Sequence, residues 1–343
     1  MTEALLLKGA PGSPYTRKML AILRYRHIPY EFLATTSPRL AQFPQPQVGL
    51  LPTFYLPNGA GAIEAVTDST PLLRRFEPQF PGPRVQPADP VLRFIDSVLE
   101  DYGDEWLTKP MFHYRWHYAS DIAKSGSILP RRRNLTATDA QAAEMTAQFA
   151  QRQIGRLHFV GSNETTTPVI EQSYRRFLAA FEAHLKIHPF LMGARPGASD
   201  FGIYGQLTQL AHFDPTPAAI TLEHAPRVYA WTAMVDDLSG LKPRDDDWFK
   251  PEALPPTLTA LLQEAGRTYV PLMLANARAL LARSEKVAAV IDGKTWVQNA
   301  FPYQGKCLRW LREEFAALAP GQQTAAGAIL EASGCGALVH EKL

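Results

Sequence analysis

"KGAPGSPYTRKML", residues 8–20, joins an apolar run (Ala4–Leu7) to an amphipathic pattern that begins at Ser13. The Gly, Pro and Ser residues predict a strand that gives way to a helix, because Ser followed by Pro is typical of a helix N-terminus. The apolar residues that follow share one helical face: Tyr15, Met19, Ile22 and Leu23. The Ser13 hydroxyl either simply caps this helix or, with the first free backbone N–H groups, offers a site that suits an anion.

Residues 4–77 alternate between short strands and helices. The predicted strands are Ala4–Leu7, Tyr30–Leu33, Phe54–Leu56 and Ala62–Val66, and the predicted helices are Ser13–Arg26, Pro38–Phe43 and Ser69–Phe76. The sequence Pro57-Asn58-Gly59 predicts a turn that makes the last two strands an antiparallel hairpin. We therefore expect an α/β domain over residues 1–80.

The rest of the chain reads as helical. Residues 81–90 belong to a proline-rich stretch that predicts a linker. Residues 91–240 carry helical apolar stripes, one of them beginning at Phe94 and running toward Tyr118, with an insertion at residues 119–166 that contains a helix at about 137–157. Residues 241–343 form an extension expected to pack on the helical domain. Its predicted elements are a helix at 256–282, a hairpin turning at Asp292-Gly293 and a final helix at 302–318 with Cys307 in the core.

Composition excludes several classes of function. The 343 residues include 35 basic and 33 acidic side chains, a net charge of +2, so nothing favours nucleic acid or an anionic membrane as partner. Two cysteines without metal-ligand spacing argue against a disulfide scaffold, a zinc site or dithiol redox chemistry. The N-terminus lacks a signal-peptide pattern and no apolar run could span a membrane, which predicts a cytoplasmic protein. The run Arg131–Arg133 predicts a solvated loop.

Two further features combine with Ser13. Pro52 directly precedes a predicted strand, where a cis proline would leave the backbone of the preceding residue open to a ligand. Asp68 and Ser69 stand at a predicted helix N-terminus, where N–H groups and a hydroxyl can hold a carboxylate while Asp68 accepts from an ammonium. Each feature alone is ordinary, but their order is distinctive.

This order resembles the thioredoxin-like domain of the glutathione transferase superfamily. The family has a Ser, Cys or Tyr near the first helix, a Pro before the third strand and an acidic-Ser pair before the next helix. A second resemblance is "PFLMGARPGASDFGIYGQL", residues 189–207, which is similar to the segment entering the buried helix of the family's helical domain, with Gly197 at the cap and Asp200 after it. The fold class implied is an α/β thioredoxin-like N-terminal domain followed by an all-α helical-bundle domain with a C-terminal extension.

The resemblance also implies residue roles. Ser13 would be the catalytic serine, the backbone of Leu51 before Pro52 would meet the cysteinyl part of glutathione, and Asp68 with Ser69 would hold the γ-glutamyl end. Leu50 stands where relatives often carry a polar side chain, so the glycyl carboxylate needs another anchor. The candidates are Arg39, Gln42, Gln45 and Gln47.

The stretch "EDYGDEWLTKPMFHYRWHY", residues 100–118, has two interpretations. Its aromatic and basic side chains could face Ser13 and form an acceptor site, or they could form a buried interface in which Arg115 pairs with a carboxylate. The candidate acceptor-site residues are Tyr15, Tyr114, Arg115, Trp116 and Tyr118. His113 and His117 are spaced to share a metal, but no third ligand is evident, and we expect no metal.

Three functions follow as hypotheses. The first is a glutathione transferase that conjugates small hydrophobic electrophiles in detoxification, with glutathione as co-substrate. The second is a glutathione-dependent lyase, isomerase or dehalogenase on the same fold. The third, favoured by Leu50, is a non-catalytic binding protein. The resemblance further implies a homodimer.

Overall fold

The computed structural model describes residues 4–342 and begins with a four-stranded sheet. Its strands are β1 (Leu5–Gly9), β2 (Tyr30–Ala34), β3 (Thr53–Pro57) and β4 (Ile63–Thr67). They lie in the order β2-β1-β3-β4, with β1 and β2 parallel and the other pairs antiparallel. Helix α1 (Pro14–Tyr25) connects the two parallel strands, and α2 (Ser69–Gln79) follows β4. The predicted thioredoxin-like α/β unit is confirmed.

The strand register brings three chain segments to one end of the sheet. Thr53 of β3 pairs with Lys8 of β1 on one side and with Thr67 of β4 on the other. Because β3 is antiparallel to both neighbours, its first residue lies beside their last residues. The segments that carry Ser13, Pro52 and Asp68 therefore leave or enter the sheet at the same end.

Helices make up most of the remaining chain to residue 234. They are α3 (Pro90–Glu105), α4 (Thr108–His117), α5 (Ala119–Arg131), α6 (Asp139–Ile154), α7 (Thr167–Leu185), α8 (Ala198–Leu207), α9 (Pro215–His224) and α10 (Pro226–Met234). The prediction of a helical second part is confirmed. Helix α8 packs closely on α1, since a Cβ added to Gly205 would lie 2.7 Å from the Pro14 carbonyl oxygen.

The helix expected to run from Phe94 toward Tyr118 is in fact two helices. It is interrupted at Trp106 and Leu107, between α3 and α4. Pro110 explains the interruption, because its ring has no N–H to donate to Trp106 and would collide with that carbonyl in a continuous helix. The break sets the direction of α4 and of the aromatic residues that it carries.

The described part of the C-terminal extension contains four α-helices and a two-stranded antiparallel sheet. Its elements are α11 (Pro256–Leu281), β5 (Lys286–Ile291), β6 (Lys294–Asn299), α12 (Pro302–Ala316), α13 (Pro320–Ala332) and α14 (Ala337–His340). The turn at Asp292-Gly293 has positive φ at both residues, 50° and 71°, as a tight hairpin requires. The sequence predicted that the helix at 302–318 is the last one. The structure shows a further helix, α13, which Pro320 starts at its first position.

Buried side chains from the N-terminal sheet, the helices and the extension form one contiguous cluster. Phe94 of α3 packs on Phe315 of α12, with ring centroids 5.4 Å apart. Residues 80–89 carry no helix or strand, yet Val85 within them is fully buried. The domain boundaries read from the sequence remain proposals. Within residues 4–342, none of the helices combines the length and the apolar character needed to cross a lipid bilayer.

Candidate functional site

Ser13 is the residue on which the candidate site is centred. It precedes α1 with an extended backbone, and its half-buried side chain caps the helix. The Oγ accepts a hydrogen bond from the Thr16 backbone N–H at 3.3 Å and donates one to the Leu51 carbonyl oxygen at 3.4 Å. The second bond is long, so the hydroxyl proton can turn to a better acceptor placed at the same helix end.

Leu51 and Pro52 lie directly against Ser13. The peptide bond between them is cis, as the sequence suggested. Thr53, the first residue of β3, donates its hydroxyl to the Leu50 carbonyl oxygen at 2.8 Å. The Leu50 side chain is half exposed and apolar, so it supplies no polar anchor.

Asp68 and Ser69 form the other predicted end of the site, at the N-terminus of α2. Asp68 has a φ of +86°, and the buried Ser69 is the first residue of the helix. The Asp68 carboxylate contacts the C-terminal extension: the Tyr303 hydroxyl donates to Oδ1 at 2.8 Å, and the Lys306 Nζ lies 3.9 Å from Oδ2. Burial raises the pKa of Asp68, and the hydrogen bond from Tyr303 and the charge of Lys306 oppose that rise.

A buried ion cluster lies beneath α2. The Lys18 ammonium of α1 donates to Glu100 and to Asp104 of α3, each at 2.6 Å, and the Thr70 hydroxyl donates to Glu100 at 3.2 Å. Burial opposes the charge on Lys18, but the two carboxylates outweigh it and raise the pKa of the ammonium above its usual value. This cluster fixes α2 relative to α1 and α3.

The proposed anchors for a glycyl carboxylate lie apart from this cluster. Arg39 is exposed and pairs with Glu31 at 2.9 Å, and Gln47 is exposed in the loop before β3. The structure does not bring either side chain into contact with Ser13. Their role in binding remains a prediction.

Helix α4 carries the aromatic and basic residues proposed for an acceptor site. Tyr114 and Trp116 are buried in the core. Arg115 is buried too, and its guanidinium donates to both carboxylate oxygens of Asp214 at 2.8–3.0 Å. This is the ion-paired arrangement given above as the structural alternative. The Arg115 Nη1 also lies 3.5 Å from the Gly12 carbonyl oxygen, which places the cation beside the Ser13 turn.

The two remaining acceptor-site candidates use their hydroxyls within the fold. Tyr15 donates to the Asp104 carbonyl oxygen at 2.9 Å, across the junction of α1 and α3. Tyr118 donates to the Glu171 carboxylate. The imidazole of His113 lies within hydrogen-bond distance of Glu171 and Ser162, and it stacks on His117 with centroids 4.6 Å apart. The assignment of Tyr15 and Tyr118 to an acceptor site stays a prediction.

Arg132 was missed as a site residue, because the run Arg131–Arg133 was expected to form a solvated loop. In the structure Arg132 is not fully solvated. It is half-buried at the end of α5, and a Cβ added to Gly12 would lie 3.2 Å from its Nη1. Burial, together with the like charges of Arg115 and Arg17, lowers the pKa of Arg132. The Phe213 ring lies 4.9 Å from its guanidinium and 5.2 Å from that of Arg115. Arg132 therefore brings a positive charge beside the turn that holds Ser13, whereas the charge of Arg115 is balanced by Asp214.

Tyr303 and Lys306 were missed as well. The sequence "PYQGK" at 302–306 shows a helix N-terminus, but nothing in it points to Asp68, which lies 235 residues before Tyr303. A structure is needed to see that the extension contacts the candidate site.

Comparisons with known proteins give a family for the N-terminal part. Residues 7–84 match the family model described as glutathione S-transferase, N-terminal domain. A search of curated proteins found no match to the chain.

Solved structures show distant similarity. A beta-etherase from Sphingobium sp. strain SYK-6 is 17% identical, with 68% of this chain and 95% of that chain covered and a TM-score of 0.46. A glutathione transferase from Pseudomonas putida, with one glutathione disulfide bound per subunit, is 15% identical, with 68% and 86% covered and a TM-score of 0.39. A Tau class glutathione S-transferase from mango (Mangifera indica) is 18% identical, with 75% and 98% covered and a TM-score of 0.41.

These similarities are too weak to carry an argument, so the assignment rests on the matched segment and on its fold. Residues 7–84 include all of the sheet except the start of β1, together with α1, α2 and every residue of the candidate site that lies in the N-terminal domain. The N-terminal domain, residues 7–84, therefore matches the glutathione S-transferase N-terminal domain family and has the thioredoxin-like fold.

Proposed function

We propose that this protein is a glutathione transferase in which Ser13 favours the thiolate of bound glutathione for attack on a small hydrophobic electrophile. The single observation that supports this most is the position of the Ser13 hydroxyl. It lies at the N-terminus of α1, against Leu51, and beside the guanidinium of Arg132.

The proposed mechanism requires Ser13 and its surroundings to stabilise the glutathione thiolate by only a few kcal/mol. A thiol pKa falls from about 8.5 to about 6.5 if the site favours the thiolate by roughly 2.7 kcal/mol. The Ser13 O–H would donate to the sulfur instead of to Leu51, and the helix end and the Arg132 guanidinium would add favourable potential. The thiol proton goes to solvent, a sulfur electron pair forms the bond to carbon, and the leaving group departs with its bonding pair.

Ser13→Ala tests the catalytic role. We expect kcat/KM with glutathione and a generic aryl halide to fall about 10- to 100-fold, and the pH profile of the reaction to shift upward, because the thiolate loses a donor. Affinity for S-methylglutathione, which has no thiol, should change little. Because the variant also loses a helix cap, its folding is checked by circular dichroism.

Ser37→Ala is the matched control, since Ser37 precedes the short helix Pro38–Gln42 without a side-chain cap bond in the described structure. An unchanged rate and pH profile in Ser13→Ala would contradict the catalytic role. Absence of glutathione binding by the wild-type protein, measured by calorimetry, would contradict the proposal as a whole.

A second candidate is a glutathione-binding protein without turnover. The half-exposed Leu50 favours it, because this apolar side chain supplies no polar anchor for the glycyl carboxylate. Binding of glutathione with no aryl halide turnover would support this candidate or a lyase, isomerase or dehalogenase. A role in detoxification, a homodimer and a cytoplasmic location are further parts of the proposal that rest on the resemblance alone.

A further inference from the structure

Helix α12 of the C-terminal extension reaches the end of the candidate site where the γ-glutamyl group would bind. Tyr303 and Lys306 lie one turn apart on its first turns, and both face Asp68. Arg74 of α2 pairs with Glu314 further along α12 at 2.7 Å, so the two helices are held together at a second point. The extension thus supplies side chains to a site otherwise made by the N-terminal domain.

The charges at this end match those of an amino-acid head group. A γ-glutamyl end carries an ammonium and a carboxylate on the same carbon. Asp68 offers a negative charge, and the N-terminus of α2 at Ser69 offers backbone N–H groups and a hydroxyl. Lys306 adds a full positive charge 3.9 Å from Asp68 Oδ2. Asp68 and Lys306 therefore present opposite charges side by side, as an amino-acid head group does.

Lys306 retains the capacity to bind a ligand. At 3.9 Å its Nζ is too far from Asp68 for a hydrogen bond, and the side chain is 44% exposed. Its ammonium lies 4.3 Å from the centre of the Trp310 ring, which holds it on the side of α12 that faces the site. Lys306 is thus held next to Asp68 without a direct hydrogen bond to it, and its ammonium keeps donors for a ligand.

Tyr303 contacts Asp68, the acidic partner of Lys306. The Tyr303 hydroxyl donates a hydrogen bond to Oδ1 of Asp68, and Lys306 lies near the other oxygen, Oδ2. Asp68 has a left-handed backbone that few non-glycine residues adopt, so its carboxylate is held in one direction by both its backbone and Tyr303.

We propose that Lys306 binds the α-carboxylate of the γ-glutamyl group of glutathione, while Tyr303 orients Asp68 to accept from its ammonium. This inference rests on the proposed function, because it names residues of the same glutathione site. It assigns to the extension a part in ligand specificity that the N-terminal domain does not provide by itself.

Ligand analogues separate the two charges. Full-length wild-type protein and Lys306→Gln are titrated calorimetrically with glutathione, with glutaryl-cysteinylglycine, which lacks the ammonium, and with 4-aminobutanoyl-cysteinylglycine, which lacks the α-carboxylate. Arg309→Gln is the matched control, because Arg309 lies on the same helix, is 63% exposed and pairs with Glu313.

We expect Lys306→Gln to weaken glutathione and the glutaryl ligand about tenfold, since a charge-assisted contact is lost, and to leave the aminobutanoyl ligand unchanged. Arg309→Gln should bind all three as the wild type does. Tyr303→Phe should weaken the two ligands with an ammonium by a few-fold and spare the glutaryl ligand.

Equal or tighter binding of glutathione by Lys306→Gln would overturn the inference and leave the proposed function standing. Equal losses for all three ligands would also overturn it, because they would show a general effect on the fold. If the wild-type protein bound none of the three ligands, the inference and the proposed function would both be contradicted.

Discussion

The first turn of α8 is capped by a carboxylate from another helix. Asp96 of α3 accepts hydrogen bonds from the backbone N–H groups of Ala198 and Ser199, each at 3.0 Å. Asp200 accepts from the Gly197 N–H at 2.8 Å, which is half of the capping box that the sequence suggested. A Cβ added to Gly197 would lie 2.4 Å from Asp96 Oδ1, so the glycine makes room for the acid that replaces its missing side chain.

Gly197→Ser therefore should destabilise the protein, although serine is usually the better cap. The added Cβ must displace Asp96, which is fully buried and cannot move freely. We expect a loss on the order of 2 kcal/mol in the free energy of unfolding, measured with urea. Gly240→Ser is the control, since nothing lies within 4 Å of a Cβ there. A Gly197→Ser variant as stable as the wild type would show that Asp96 does not cap α8.

Some site residues could be predicted from the sequence because their structure is local. Ser13 is followed by Pro14 and a regular apolar stripe, and Ser69 starts a helix directly after a strand. Asp96 and Tyr303 could not be predicted as partners, because their hydrogen bonds join positions 102 and 235 residues apart. Local patterns do not contain that information.

At the scale of elements, α3 is the most unusual helix. It buries three acidic side chains near its C-terminal end, Glu100, Asp104 and Glu105, and half-buries a fourth, Asp101. Lys18 neutralises two of them, and the Tyr269 hydroxyl donates to Asp101. Burial raises the pKa of Glu105 to about 8, with the charges of Asp101 and Asp104 adding to the rise and Lys109 opposing it. This environment favours the protonated form of Glu105.

Glu105→Gln tests this directly, since glutamine resembles the protonated acid. The folded state keeps a proton that the unfolded chain loses, so the wild type loses stability as pH rises from about 4.5 to about 8. The variant should lack that loss and be more stable than the wild type by on the order of 2 kcal/mol at pH 8, with little difference at pH 5.

Urea unfolding at pH 5, 6.5 and 8 measures the difference. Glu313→Gln serves as the control, because Glu313 is 63% exposed and should show no pH-dependent change. A difference between Glu105→Gln and wild type that did not vary with pH would contradict the raised pKa.

The order of the elements was largely predictable, because most strands and helices have a clear periodicity of apolar residues and are bounded by Gly or Pro. Gly and Pro marked the β3–β4 hairpin, and Asp292-Gly293 marked the β5–β6 turn. The break between α3 and α4 was missed, since apolar residues continue through Trp106 and Leu107 while Pro110 lies three residues beyond them. In α3 itself, the burial of charged residues depends on partners from α1 and α11 that no periodicity reveals.

At the scale of the whole molecule, one indole joins three parts of the chain. Trp296 of β6 is fully buried and packs on Trp106, with ring centroids 5.5 Å apart. A Cβ added to Gly161, in the segment between α6 and α7, would lie 2.4 Å from the same ring. The Trp296 Nε1 donates to Gln298 at 3.0 Å, and Gln298 accepts from Lys109 of α4. The extension is therefore anchored in the core of the helical part.

Trp296→Ala should accordingly weaken the whole protein and not the extension alone. Removing the ring leaves a cavity in the buried core, and we expect a loss of about 3–5 kcal/mol in the free energy of unfolding. Because buried residues of all parts form one cluster, calorimetry should show a single transition, moved to lower temperature. Val297→Ala, on the opposite and partly exposed face of β6, should cost less than about 1 kcal/mol. A separate early transition of the extension, with the main transition unmoved, would show instead that residues 256–342 fold as an independent layer, and α12 would then reach Asp68 only while that layer is docked.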